Sequence, residues 1–193
     1  MSPLAVDCVI KVGGGMRARA DTFDAVIAEI SLASQEAALL IVPGGGPFAD
    51  TVRDIDRQVG LSDDAAHWMA ILAMDQYAHL IASRLPSGEV VCGPAEIASV
   101  LKQRRTPVLA PYQWMRDADP LPHSWDVTSD SISAWVAGQV GAPRIVLVKP
   151  PGGGGPTIVD ACFNSVLPRH IKATIIPADR IVELSRAIAA PAI

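Results

Sequence analysis

The sequence predicts an α/β fold, a three-layer αβα sandwich on a mostly parallel central sheet, and three observations carry that prediction. Short runs of branched residues alternate with segments of helical period along the whole chain, as when covering helices join the strands of one sheet. The strand-sized runs are short and largely apolar rather than alternating, which suits strands buried on both faces. Residues that start and stop helices stand at several of the boundaries between them.

Strands are expected at Cys8 to Val12, Ala38 to Val42, Glu89 to Cys92, Pro107 to Ala110, Arg144 to Val148 and Lys172 to Ile176. Helices are expected at Thr22 to Ser34, Phe48 to Gln58, Asp63 to Leu85, Ala95 to Arg104, Asp130 to Val140, Val159 to Leu167 and Ala178 to Ala189. Ser62 offers a side-chain oxygen to the free N–H groups of the third helix, and Asp63 and Asp64 sit where its dipole favours negative charge. Gly141 is placed to end the helix that starts near Asp130. No repeat of fixed period is present, and Pro150 to Pro156 reads as a Pro/Gly-dense loop inside a single domain over 1–193.

Half of the 193 residues are hydrophobic and 19% are charged, an ordinary globular balance with enough chain for one substantial core. A formal charge of −4 offers no basic cluster to displace counterions from a polyanion, so nucleic acid is not expected as a partner. The longest apolar runs, such as Ala37 to Pro43, are strand-sized against the ~20 residues of a membrane helix, so no membrane partner is expected either. The N-terminus lacks the basic start and apolar stretch of a secretory signal, and a cytoplasmic location is the expectation. Cys8, Cys92 and Cys162 are odd in number and scattered, so they read as small buried apolar side chains rather than as disulfide partners or zinc ligands.

The most informative stretch is Cys8-Val9-Ile10-Lys11-Val12, a strand that runs straight into Gly13-Gly14-Gly15. Glycines let backbone N–H groups come close to an anion, and Lys11 at the strand end adds a compact positive charge. Alone the motif is weak, because such glycines serve as a plain tight turn about as often. Leu39-Leu40-Ile41-Val42-Pro43 repeats the arrangement with Gly44-Gly45-Gly46, then Pro47 and a helix. Pro47 fits the first turn of that helix, whose N-terminus attracts an anion. Two such loops are hard to explain as turns alone. Neither is a Walker A loop, and the Rossmann Gly-x-Gly-x-x-Gly is absent.

These residues resemble the amino acid kinase superfamily, which includes acetylglutamate, uridylate and isopentenyl phosphate kinases. In that family a Lys-x-Gly-Gly loop after the first strand faces a Gly-Gly-Gly-Pro loop after the second across the transferred phosphoryl group. Ile10-Lys11-Val12-Gly13-Gly14 and Gly44-Gly45-Gly46-Pro47-Phe48-Ala49-Asp50 match in order and spacing. Thr128-Ser129-Asp130-Ser131, opening a helix, is similar to the family's Asn/Ser-Asp segment, whose aspartate orients the active-site lysines. The resemblance spans roughly Val9 to Lys149. Pro43, Met74-Asp75-Gln76-Tyr77 and Leu147-Val148-Lys149-Pro150 are similar to a compact subgroup of phosphomonoester kinases in methanofuran-type one-carbon cofactor biosynthesis. The Thr-Asp-x-x-Gly segment that relatives carry near the end of this region is absent.

The resemblance implies a compact amino acid kinase fold, ATP and Mg2+ as cofactors, and association of copies into a homo-oligomer. It places the acceptor over about residues 1–125 and ATP over about 126–193. It gives Lys11, Asp130 and Lys149 catalytic places, the lysines on the phosphates and Asp130 as an organiser of the lysines or a contact to the magnesium shell. A solvated strand-end lysine and a helix-terminal charge are the plainer readings of Lys11 and Asp130. Gly13, Gly14 and Gly15, with Gly152 and Gly153 of the Pro151 to Pro156 loop, are expected on the phosphates of ATP. For that later loop a plain surface segment is nearly as good a reading.

Gly44, Gly45, Gly46, Asp50, Arg53 and Asp75 are expected around a small phosphorylated acceptor. Arg53 and Arg57 are candidates to grip its phosphate, and Arg17 and Arg19 are weaker ones. Helical spacing puts Trp68, Leu72, Asp75 and His79 on one stripe, where Asp75 takes either His79 or an ammonium group of the substrate as its partner. Trp68 and Trp135 are candidate interface residues. His67, His79, His123 and His170 have no metal-ligand spacing, so no metal site built by the protein itself is expected. The reaction expected is transfer of the γ-phosphoryl group of ATP to a phosphomonoester, giving a diphosphate. A carboxylate acceptor giving an acyl phosphate, and a non-catalytic nucleotide or anion binder, stay open beside it.

Overall fold

A computed structural model of the protein describes residues 6–15, 20–151 and 159–189. Six strands, β1 Cys8–Val12, β2 Leu39–Pro43, β3 Gly88–Val91, β4 Thr106–Leu109, β5 Arg144–Lys149 and β6 Lys172–Pro177, form one sheet in the order β3-β4-β2-β1-β5-β6. Every pairing is parallel. The helices are α1 Ala20–Ala33, α2 Gly46–Val59, α3 Asp63–Arg84, α4 Pro94–Lys102, α5 Tyr112–Ala118, α6 Ser129–Val140, α7 Phe163–Val166 and α8 Leu184–Ala189, with a 3-10 segment Ala178–Glu183 before α8.

Successive side chains of the central strands feed two separate cores, which is what makes three layers. Val9, Leu40, Val42, Ile145 and Leu147 pack under α4, α5, α6 and α7, while Ile10, Val12, Ile41, Val146 and Val148 pack under α1 and α8. Helix α3 contributes to both, through Trp68, Ile71 and Met74 on one side and Tyr77, Ala78 and Ile81 on the other. Lys11 shares the pleat side of Val9, and Lys149 that of Ile145 and Leu147, so both lysines face the layer that contains α6.

The connections leave β1 towards β2 in the first part of the chain and return to its other side at β5. Carboxyl ends of strands at such a reversal form a crevice between loops that diverge.

Each expected strand forms within one residue of its expected ends. Several other expectations are corrected. Helix α5 forms where no helix was expected. Only Phe163–Val166 is helical within the expected Val159 to Leu167, because Asp160 draws the preceding backbone into its own hydrogen bonds. The expected helix Ala178 to Ala189 begins as a 3-10 segment with a kink at Arg180. Cys8 is buried, its thiol pushed up to about 12 by that burial, but Cys92 is exposed and Cys162 half-buried. The stripe on α3 does not hold as a face, since Leu72 and His79 are exposed, and Trp68 lies in the core rather than at a surface.

Candidate active site

The two glycine corners meet at the carboxyl end of β1. Gly13 N–H donates to Val148 O (2.9 Å) and Gly44 N–H to Val12 O (2.7 Å), so each corner leaves its strand still hydrogen-bonded to a neighbour. Gly14 lies directly against Gly46: a Cβ on Gly14 would stand 2.3 Å from Gly46 N, a separation no side chain can accept. Gly46 has φ +58° and lies over the Tyr77 ring, and α2 starts there with Pro47 in its first turn.

Helix α6 brings its first turn to the same place. Thr128 caps it, its hydroxyl accepting from Asp130 N–H at 3.3 Å. Asp130 Oδ1 then faces Lys11 Nζ at 2.9 Å, as an ion pair rather than an aligned hydrogen bond, and Oδ2 accepts from Lys149 Nζ. All three side chains are nearly buried, at 6% exposure for Lys11, 5% for Asp130 and 13% for Lys149.

Burial alone opposes ionisation of Asp130, but the charge of Lys11 and the hydrogen bond and charge of Lys149 outweigh it, and its carboxyl is held below the usual range. Burial pushes the Lys11 ammonium the other way, below its ordinary value, with Asp130 opposing and Lys149 adding to the depression. Two ammonium groups and one carboxylate leave an excess of one positive charge in a place largely closed to water. Such a charge is worth much more there than on a surface.

A slot opens beside the second corner. It is lined by Gly45, Ala49 and Arg53 of the α2 side, His67 and Met74 of α3, and the segment from Ser124 to Ser129 that leads into α6. The Arg53 guanidinium lies 5.2 Å from the centre of the Trp125 ring, and Trp125 donates its indole N–H to Asp56 at 2.8 Å.

The structure therefore brings Lys11, Asp130, Lys149, Gly13, Gly14, Gly44, Gly45 and Gly46 together and sets Arg53 on the slot. Gly15 lies next to Pro150 at the edge of the corner. Asp50 is exposed and pairs with Arg53 at 2.7 Å instead of lining the slot. Arg57 pairs with Asp54 on the outer side of α2. Asp75 is a correction: it does not line the slot, and it accepts from Tyr112 N–H at 3.0 Å, capping α5 rather than bonding to His79. Gly152, Gly153, Arg17 and Arg19 lie outside the described residues.

Two groups escaped the sequence. His67 stacks on His123 at 4.2 Å beside the slot, and Asp160 gathers donors from the start of α6. The pairing of Asp160 could have been sought once the Thr-Asp segment was found missing, because Val159-Asp160 holds an aspartate soon after the glycine loop. The histidine stack has no sequence signal, since its members lie far apart in the chain.

The chain is 26% identical over 167 residues to the (5-(aminomethyl)furan-3-yl)methyl phosphate kinase of Methanocaldococcus jannaschii, covering 79% of this chain and 74% of that protein. Among solved structures it matches the uridylate kinase of Archaeoglobus fulgidus with a TM-score of 0.72 at 17% identity, over 97% of each chain. The UMP kinase of Ureaplasma parvum matches with a TM-score of 0.69 at 14% identity, over 93% of this chain and 94% of that one. At such identities these two establish the fold. The model of the amino acid kinase family matches residues 8–150, from the first residue of β1 to just past the second lysine of the cluster, and the chain belongs to that family of phosphotransferases.

Proposed function

We propose that this kinase transfers the γ-phosphoryl group of ATP to the phosphate of a small phosphomonoester, giving a diphosphate, as a step in methanofuran-type one-carbon cofactor synthesis. The observation that carries the reading is the buried Lys11–Asp130–Lys149 cluster at the junction of two glycine corners. A phosphoryl group in transfer spreads negative charge over its equatorial oxygens, so its barrier falls chiefly through positioned positive charge. Asp130 keeps the two ammonium groups a fixed distance apart, and the lysines supply the charge.

Asp130 is engaged by a lysine at each oxygen, so it is not free to act as a base. That favours an acceptor already anionic at neutral pH, as a phosphate is. Arg53 on the slot suits a phosphate, and the similar kinase of M. jannaschii is named for a phosphate ester. In this reading the acceptor occupies the half up to about residue 125 and ATP the remainder.

Among the described residues no group of three His, Cys, Asp or Glu side chains is gathered as a protein-bound metal would need. Mg2+ would instead be held by the phosphate oxygens of ATP, where it supplies further positive charge. No helix among the described residues is long and apolar enough to cross a membrane.

The test is a coupled ADP-release screen over phosphomonoesters, including the aminomethylfuran-methyl phosphate, and carboxylates, with hydroxylamine present in parallel. ADP release with a phosphomonoester, and 31P resonances of a diphosphate product, are expected. Hydroxamate formation with a carboxylate would overturn the choice of acceptor. ATP binding without turnover over the whole panel would overturn the reaction.

A further inference from the structure

Asp160 lies outside the lysine cluster, yet six donors converge on its carboxylate. Oδ2 accepts from Thr128 N–H at 2.9 Å, Thr128 Oγ1–H at 2.7 Å and Ser131 N–H at 3.0 Å. Oδ1 accepts from Ser131 Oγ–H, from Cys162 N–H at 3.2 Å and from Phe163 N–H at 2.9 Å. The residues it grips on α6 stand on either side of Asp130 in sequence. Two of the backbone donors are first-turn or capping N–H groups that α6 itself cannot satisfy, and the helix dipole favours an anion there.

We propose that Asp160 is a positioning residue for phosphoryl transfer, fixing the first turn of α6 from both sides of Asp130 so that one carboxylate meets two lysines. The inference rests on the phosphoryl-transfer reading. The carboxylate is required as such, because all six partners are donors. An amide would turn an NH2 group against three of them and strand those donors half-buried. Asp160 also sits near enough to Lys11 for its negative charge to favour the ammonium form.

The experiment compares wild type with Asp160→Asn and Asp160→Glu, reading steady-state kcat and KM, thermal stability, and the NMR titration of the lysine side chains without substrate. The chain has four lysines, Lys11, Lys102, Lys149 and Lys172, so the Lys11 signals can be identified from a Lys11→Met spectrum. In Asp160→Asn, kcat is expected to fall about 10-fold to 100-fold, the cost of a small misplacement at a reacting centre, with KM changing less than kcat. Lys11 is expected to titrate at lower pH. Asp160→Glu keeps two acceptor oxygens and should recover part of both.

A folded Asp160→Asn that loses thermal stability while keeping kcat and the Lys11 titration would overturn the proposal and leave a structural clamp. If Asp160→Asn does not fold, Ser131→Ala removes one of the six donors without touching the Thr128 hydroxyl that caps α6, and the same readouts decide. The titration needs no acceptor, so a Lys11 titration moved also in the charge-conserving Asp160→Glu, without turnover on any acceptor, would count against the reaction and for the positioning role.

Discussion

Two carboxylates on different helices are withdrawn from solvent and held in contrasting ways. Asp130, at the start of α6, faces two ammonium groups and is held ionised below the usual range. Asp75, in the middle of α3, accepts one backbone N–H from Tyr112; burial raises its pKa, with that hydrogen bond and the charge of His79 opposing. Desolvation opposes both charges. Only where the fold brings in two full opposite charges is it outweighed, so a partly hidden acid is not by itself a sign of chemistry. The partner decides.

The contrast breaks most sharply if Asp130 can be neutralised harmlessly. Asp130→Asn would leave Lys11 and Lys149 buried without a counter-charge, and a loss of about 3–5 kcal/mol in denaturant unfolding is expected. Turnover should fall by about 10²–10³, the scale for losing a group aimed at the transition state. Because the folded-state pKa of Asp130 is depressed, its contribution to stability is present above its unfolded value and is lost as pH falls through the folded one. The wild type should therefore lose stability in acid more steeply than Asp130→Asn does.

A smaller effect is expected on the α3 side, at His67. Burial, with the stacked His123 adding to it, pushes His67 down to about 4, while Asp119 and Asp64 pull the other way. His123 itself contacts Asp64 at 2.9 Å and Asp119 at 2.8 Å, so both acids that act on His67 are anchored to its stacking partner. Between about pH 6.5 and pH 4 the unfolded chain binds a proton that the folded chain refuses, and stability falls as pH falls through that window. His67→Gln should flatten that slope in unfolding curves taken across the window. An unchanged slope would place the acid sensitivity elsewhere.

The smallest effect is expected at Asp75. An asparagine oxygen can still accept from Tyr112 N–H, so Asp75→Asn should leave kcat and acceptor KM within about twofold, the range of a substitution without a special mechanism. Since the folded-state pKa of Asp75 is raised, its favourable contribution belongs to the protonated form at low pH and is lost as pH rises through the folded value. The stability of Asp75→Asn relative to wild type should therefore improve as pH rises from acid to neutral. A large loss of acceptor affinity would return Asp75 to the binding site.

Much of the candidate site was legible because its parts are local. Lys11 and its glycines are contiguous, Gly44 to Gly46 repeat the pattern, and Asp130 sits in a four-residue cap segment. The inner strands β1, β2, β4 and β5 were readable because they are buried on both faces, which leaves mostly apolar runs, while the edge strands β3 and β6 are only partly buried. What was missed depends on contacts across the fold. Helix α5 follows Pro111 and takes its first N–H partner from Asp75 on α3, so its own sequence carries no cap. The short α7 is shaped by Asp160, whose role is set by donors about thirty residues earlier. On α3 the expected stripe failed because the helix packs into both cores and has no single buried face.

The central claim is that positive charge held beside Asp130 lowers the barrier to phosphoryl transfer. Lys11→Met keeps the length and apolar stem of the side chain and removes only the ammonium, so initial rates of ADP formation with the aminomethylfuran-methyl phosphate, measured on folded protein, test it most directly. A fall in kcat of about 100-fold or more at little cost in thermal stability is predicted. A kcat equal to that of wild type would contradict it.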